Sequence, residues 1–143
     1  PMIANWPGKI APGQTSDHIS AFWDVLPTLC DVTGAETPED TDGISFLPTL
    51  LGNTEQPGHE FLYWEFPSYA GQQAVRMGNW KAMRRNIFND NMELELYNLA
   101  TDPTESRNVA AANPEIVAKI EGIMKREHTP ATLEKFKITQ LGD

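Results

Sequence analysis

An α+β fold, in which an antiparallel sheet of about four strands packs on a C-terminal helix, is what this sequence predicts. Glu93-Leu94-Glu95-Leu96-Tyr97 alternates charged and apolar residues with the period of a half-buried strand. Gly78-Asn79 separates two short runs of strand formers, and a tight type II′ hairpin turn wants glycine at its first position. Ile116, Val117, Ile120, Ile123 and Met124 recur at helical spacing and give one apolar helix face, with Lys119, Glu121, Lys125 and Glu127 mainly elsewhere.

The elements before the sheet are read from caps and breakers. Residues 1–8, Pro1-Met2-Ile3-Ala4-Asn5-Trp6-Pro7-Gly8, form an apolar run ended by a Pro-Gly turn signal and read as a strand. Ile19, Phe22, Trp23, Leu26, Leu29 and Cys30 suggest one long helix, but Pro27 in a helix interior would cost about 3 kcal/mol. The helix is therefore predicted to start at Asp24 as N-cap, with Pro27 in its first turn, and to end at Gly34, residues 18–23 being extended. The same grammar recurs from Ser45 to Gly52 around Pro48, and the shared Leu-Pro-Thr-Leu is common helix-start chemistry rather than a repeat.

Within the sheet region, residues 59–66, 73–77, 80–84 and 93–97 read as strands, and residues 86–91 as a polar loop. Asp102-Pro103 turns the chain, and Asn113-Pro114 places a capping residue before a proline at the first position of the last helix. The polar tail, residues 129–143, either drapes over the sheet through Leu133, Phe136 and Leu141 or frays.

Composition narrows the function classes. The chain has 143 residues, 40% of them apolar, and ten glycines, which excludes disordered and collagen-like chains. Eleven Lys and Arg against twenty Asp and Glu give a net charge of −9, the wrong sign for neutralising phosphates, so nucleic acid and anionic membrane surfaces are not expected partners. No apolar run approaches the roughly 18 residues of a bilayer span, and the first ten residues lack a basic start followed by an apolar stretch. Neither a span nor a signal peptide is expected. Cys30 alone excludes an internal disulfide and leaves the compartment open.

No residue pattern writes a catalytic mechanism locally. Cys30 lies on the apolar stripe of the Asp24 helix, where a core role is expected. His18, His59 and His128 belong to no zinc-ligand spacing. The acidic run Glu36, Glu39, Asp40, Asp42 has Pro38 and Thr49 where a calcium loop needs its first carboxylate and closing glutamate, so it reads as a solvated loop. Neither a phosphate-cradling glycine loop nor a GxSxG elbow occurs. Tyr63, Trp64, Phe66, Tyr69 and Trp80 beside Glu65, Arg76 and Lys81 could stack a sugar ring, although strand alternation also sends such aromatics to the core. Trp64, Glu65 and Arg76 are the candidate substrate-binding residues. In the expected alternation Glu65 shares a face with Arg76, outside the core, while Leu62, Trp64 and Phe66 face the helix of Ile116, Ile120 and Ile123.

Taken in order, Pro1 to Gly8, Ser16-Asp17-His18, Asp24-Val25-Leu26-Pro27-Thr28-Leu29, Asp42-Gly43-Ile44-Ser45-Phe46-Leu47-Pro48, and Leu96-Tyr97-Asn98-Leu99 with Asp102-Pro103-Thr104-Glu105 and Asn108 resemble the C-terminal part of type I sulfatases. The branch is that of arylsulfatases, choline-sulfatases and N-sulfoglucosamine sulfohydrolases, in the alkaline phosphatase superfamily. The resemblance implies that residues 1–57 are the terminal strand and helices of an alkaline-phosphatase-like α/β domain and residues 58–143 a C-terminal α+β subdomain. It further implies a parent chain that hydrolyses sulfate esters with calcium and a formylglycine made in a Cys/Ser-x-Pro-x-Arg motif.

Cys30 is followed by Asp31-Val32-Thr33 and does not match that motif, so this piece is expected to hold no catalytic and no metal residue and to be inactive alone. Expected partners are the N-terminal catalytic domain of the parent and, through it, a sulfated sugar or other small sulfate ester. Self-association of the piece is a further expectation, because its first strand and the Asp24 helix would lack their neighbours. The parent's compartment stays open, periplasm and exterior included. Two other readings remain: part of a phosphodiesterase or phosphonate hydrolase of the same superfamily, and a carbohydrate-binding module using the aromatic strand face.

Overall fold

A computed structural model describes residues 2–143, which divide into two compact units, one ending at His59 and one running from Glu60 to Asp143. In the first unit a 3-10 turn, Phe22–Asp24, leads into helix α1, Val25–Thr33. Pro27 sits in the first turn, where its missing N–H had no intrahelical partner, and Gly34 ends the helix in the left-handed region at φ 75°. Helix α2, Leu47–Leu50, follows the same rule with Pro48 near its start. The Gln56 side chain accepts from the Thr49 N–H at 3.0 Å and donates to the Ser45 carbonyl at 2.8 Å, holding that turn to its own connecting loop.

The strand expected at residues 2–6 is not formed. A strand exists only against a ladder partner, and among the described residues the sole sheet is built from residues 62–98. The chain instead turns there, with the Lys9 and Ile10 N–H groups donating to the Trp6 carbonyl.

The second unit is an antiparallel meander of β1, Leu62–Phe66, β2, Gln72–Met77, β3, Trp80–Arg85, and β4, Glu95–Asn98, in the order β1-β2-β3-β4. Gly78 has φ 56° and Asn79 is not left-handed, the sign pattern of the predicted hairpin turn. Register aligns Tyr63, Val75, Ala82 and Leu96 in one row across the four strands. Val75, Ala82 and Leu96 are wholly buried there with Ile120, Ile123 and Met124 of α3, Pro114–Glu127. Beyond β4, the Asn108 side chain accepts from the Leu96 N–H and the Val109 N–H donates to the Leu96 carbonyl, covering an edge that would otherwise be open to pairing.

Two polar segments differ from expectation. The loop at residues 86–91 holds a 3-10 turn, Ile87–Asn89, whose Ile87 is fully buried. The tail packs through Ile138, also fully buried, while Leu133 and Phe136 are exposed. A lone isoleucine in a polar run has no periodic signal, so only packing reveals it. Asp143 locks the tail by accepting from the Ala131 N–H at 3.1 Å and the Ile138 N–H at 2.5 Å.

The Ile138 N–H above all holds the Asp143 carboxyl below the usual range, against burial, with the Ala131 N–H, His128 and Lys137 adding to the effect. The folded group thus titrates below its unfolded counterpart, so its stabilisation is complete above the ordinary Asp range near pH 3.9 and is lost as pH falls through the folded value. Hydrogen exchange at the Ile138 amide, corrected for its intrinsic rate, should accelerate on that acid side. Asp143→Asn should show fast exchange already at neutral pH, and unchanged protection in the variant would refute the lock.

Candidate functional site

Trp64, Glu65 and Arg76 do not come together. β1 pairs Leu62 with Arg76 and Glu65 with Gln73, so Arg76 shares a sheet face with Leu62 and Trp64, and Glu65 lies on the other. This corrects the expected Glu65–Arg76 pair and the expected direction of Trp64. The face toward α3 is that of Tyr63 and Glu65, because register makes Tyr63 the neighbour of buried Val75. A shift of one residue in the loop between β1 and β2 would reverse every side chain, and loop length cannot be converted to register from composition alone.

Glu65 is the hub of a polar network on the helix-covered face. Its Oε2 accepts from the Tyr63 hydroxyl and faces Nδ1 of His128 at 2.9 Å, and Gln73 donates to the Tyr63 oxygen at 2.9 Å. His128 caps the C-terminal end of α3, and its buried Nε2 lies 3.2 Å from Asp143 Oδ1, out of line for a hydrogen bond. Burial, and then the hydrogen bond to Glu65, push the Tyr63 hydroxyl far above the usual phenol range. The network ties β1, α3 and the tail together, and its chemistry is cross-linking.

On the other face Trp64 is 39% exposed and Phe66 50%. Arg76 and Lys81 are directly opposite neighbours in β2 and β3, and Arg85 lies further along β3 on the same side. Lys81 is neutralised by Glu105 at 2.5 Å and Arg85 by Glu95 at 3.3 Å, whereas the Arg76 guanidinium donates to the Gly78 carbonyl. Tyr97 on this face donates to Glu95 at 2.6 Å; that bond first, and burial second, raise its hydroxyl to about 12. Between β1 and β2, Tyr69 and Ala70 are both left-handed, at φ 52° and 61°, and the Tyr69 ring stands 6.2 Å from that of Phe66. The face can therefore offer a cation beside aromatic surface, which suits an anionic ring compound.

A second polar node, invisible in the sequence, lies in the first unit. Asp24 is completely buried and accepts from the Ala21 N–H at 2.6 Å, the Ile44 N–H at 2.9 Å and faces His59 Nε2 at 2.8 Å. The Thr28 hydroxyl donates to the Asp24 carbonyl at 2.6 Å and accepts from the Phe46 N–H at 3.0 Å. An acidic residue ahead of a helix signals an N-cap, yet here the side chain joins three segments instead. Cys30 is buried, and among the described residues no group of three or more His, Cys, Asp or Glu could hold a metal ion.

Comparison with known proteins matches residues 1–130 to the family model described as N-sulphoglucosamine sulphohydrolase, C-terminal. Human arylsulfatase A is 34% identical over 85% of this chain and 29% of its own length. The ulvan-active sulfatase of Formosa agariphila is 31% identical over 87% of this chain and 31% of its own. A solved structure described as a complex with its substrate D-glucosamine-2-N,6-O-disulfate superposes with a TM-score of 0.68 at 27% identity, covering 85% of this chain and 27% of that one. The chain thus spans less than a third of the length of these relatives. Motif order, the four-stranded sheet with its covering helix and the family match agree: the chain belongs to the C-terminal sulfatase domain family of N-sulphoglucosamine sulphohydrolase.

Proposed function

We propose that this chain is the C-terminal domain of a sulfate-ester hydrolase, supplying scaffold and one wall of the substrate pocket while the reacting groups come from the rest of the parent. The observation that carries the reading is the family match over residues 1–130, with relatives named as sulfatases. A sulfated sugar is the substrate class that the named relatives favour, one being ulvan-active and one solved with a disulfated glucosamine. Formylglycine and calcium would belong to the rest of the parent.

Within the domain, the wall is the face of Trp64 and Arg76. An indole gives a flat apolar surface for a sugar ring, and a guanidinium whose hydrogen bond is to a carbonyl rather than a carboxylate keeps its positive charge for a sulfate group. Glu65 holds the sheet to α3 and is not part of that wall. In the full-length parent, Trp64→Ala and Arg76→Ala should each lower kcat/KM for a sulfated sugar by about tenfold or more with Tm unchanged. Glu65→Ala should lower Tm and leave kcat/KM of the folded enzyme close to its original value. Unaltered kinetics in the first two variants would leave this face a scaffold, and a parent that releases no sulfate from sulfated sugars would refute the reaction class.

A further inference from the structure

Two loops in the second unit hold Tyr69 and Ala70, between β1 and β2, and Asn86 and Asp90, between β3 and β4, all four with left-handed backbone. The first loop turns where the Gly71 N–H donates to the Ser68 carbonyl at 3.3 Å. Tyr69 and Ala70 are its central residues, at φ 52° and 61°, the sign pattern of a type I′ turn, which favours Asn-Gly. A Cβ resists that backbone, so the turn itself does not call for a tyrosine. Such outliers persist only where the surroundings hold them, and they gather at ligand-binding positions.

Here the second loop does the holding. The Ile87 and Phe88 N–H groups donate to the Gly71 and Ala70 carbonyls at 3.2 and 3.0 Å, and Ile87 is fully buried. A Cβ on Gly71 would come within 3.3 Å of Ile87 and 3.6 Å of the Phe88 ring, so the loops are closely packed. What this fixed backbone presents is aromatic. Tyr69 is 80% exposed, and its ring stands 6.2 Å from that of Phe66, which is itself half exposed. A flat ring with a hydroxyl at its tip suits the apolar face and hydroxyl edge of a sugar.

Position sets the length of the ligand. On the outward face Phe66 is opposite Gln72 at one end, Trp64 is opposite Ala74 in the middle, and Arg76 is opposite Leu62 at the other end. The end rows are four residues apart, about 13 Å at the rise of a strand. One sugar ring is too short to reach both the guanidinium and Tyr69, whereas linked rings span them. Charge gives the ligand a direction. Arg85, in the row of Phe66, is neutralised by Glu95, while Arg76 donates to a carbonyl, so the anionic group belongs at the Arg76 end.

We propose that Tyr69 and Phe66 form a second sugar subsite, so that the substrate is a sulfated oligosaccharide whose sulfated unit meets Trp64 and Arg76 while a neighbouring unit stacks on Tyr69. The proposal rests on the reading of the Trp64 and Arg76 face as a pocket wall, and adds the length and direction of what lies on it.

Tyr69→Gly in the full-length parent tests it, because glycine relieves the left-handed backbone while removing the ring. Sulfate release is measured on tetrasaccharides of heparin, chondroitin sulfate and κ-carrageenan and on the sulfated monosaccharide of each, and binding of the same pairs by titration calorimetry. The parent should favour a tetrasaccharide over its own monosaccharide by about tenfold or more, in kcat/KM and in Kd. Tyr69→Gly should cut that ratio to about twofold or less with Tm equal or higher, and Tyr69→Phe should keep it within about threefold of the original.

A parent without the preference overturns the inference, as does a preference that survives in Tyr69→Gly. A lower Tm in Tyr69→Gly also overturns it, since the ring would then be packed against another part of the parent. A parent that hydrolyses monosaccharides and tetrasaccharides alike loses the subsite and keeps the proposed function. One that binds tetrasaccharides through Tyr69 but releases no sulfate refutes the proposed function and leaves the subsite standing.

Discussion

Replacing Asp24 by Ala is expected to destabilise the first unit by about 3–5 kcal/mol, the cost of leaving buried hydrogen-bond donors without an acceptor. The carboxylate is completely buried, so water cannot substitute for it, and it joins the Ala21 and Ile44 N–H groups to His59. Asp24→Asn keeps an acceptor oxygen but turns an NH₂ toward one of those donors, and should cost a smaller amount. The backbone leaves little room to rearrange: a Cβ on Gly43 would run into the Trp23 carbonyl and the Pro27 ring. Urea unfolding of the variants, with exchange at the Ile44 amide as a local probe, measures the effect. A loss below about 1 kcal/mol would show that the three segments are held by packing alone.

Ile120→Ala should cost the second unit about 2–5 kcal/mol, through lost transfer free energy and the cavity left behind. Ile120 is wholly buried over the row of Val75, Ala82 and Leu96, and the residues around it are fixed by a paired sheet that cannot collapse into the gap. Lys119→Ala, on the exposed side of the same helix, should change stability by no more than about 0.5 kcal/mol. The comparison separates packing from helix propensity, because alanine is the better helix former at both positions. Similar stability of the two variants would contradict the assignment of the core.

The helix limits were legible because caps and breakers act over a few residues. Pro27 admits only a first-turn position, Gly34 accepts a left-handed stop, and Asn113-Pro114 opens α3 at the predicted residue. The β2–β3 hairpin was legible for the same reason, since Gly78 tolerates a backbone that other residues resist. The candidate site was less so. Aromatic and charged residues in β1 and β2 announced a surface of interest, but Glu65 and Arg76 were paired wrongly, since the face each occupies depends on the register across the β1–β2 loop. His128 and Asp143 gave no signal at all, because their partners lie in elements distant in sequence.

By itself the sequence determined what is local or cumulative: the α+β class, the meander, the start and stop of α1 and α3, and the family, whose short cap and turn motifs recur in order. Tertiary structure alone decided which face of β1 turns inward, that Asp24 ties three segments rather than capping a helix, that Ile87 and Ile138 anchor polar stretches, and that residues 2–6 form no strand. The physical reason is common to all four. Each depends on a partner far along the chain, and a buried hydrogen bond, a packed side chain or a ladder has no energy until that partner arrives.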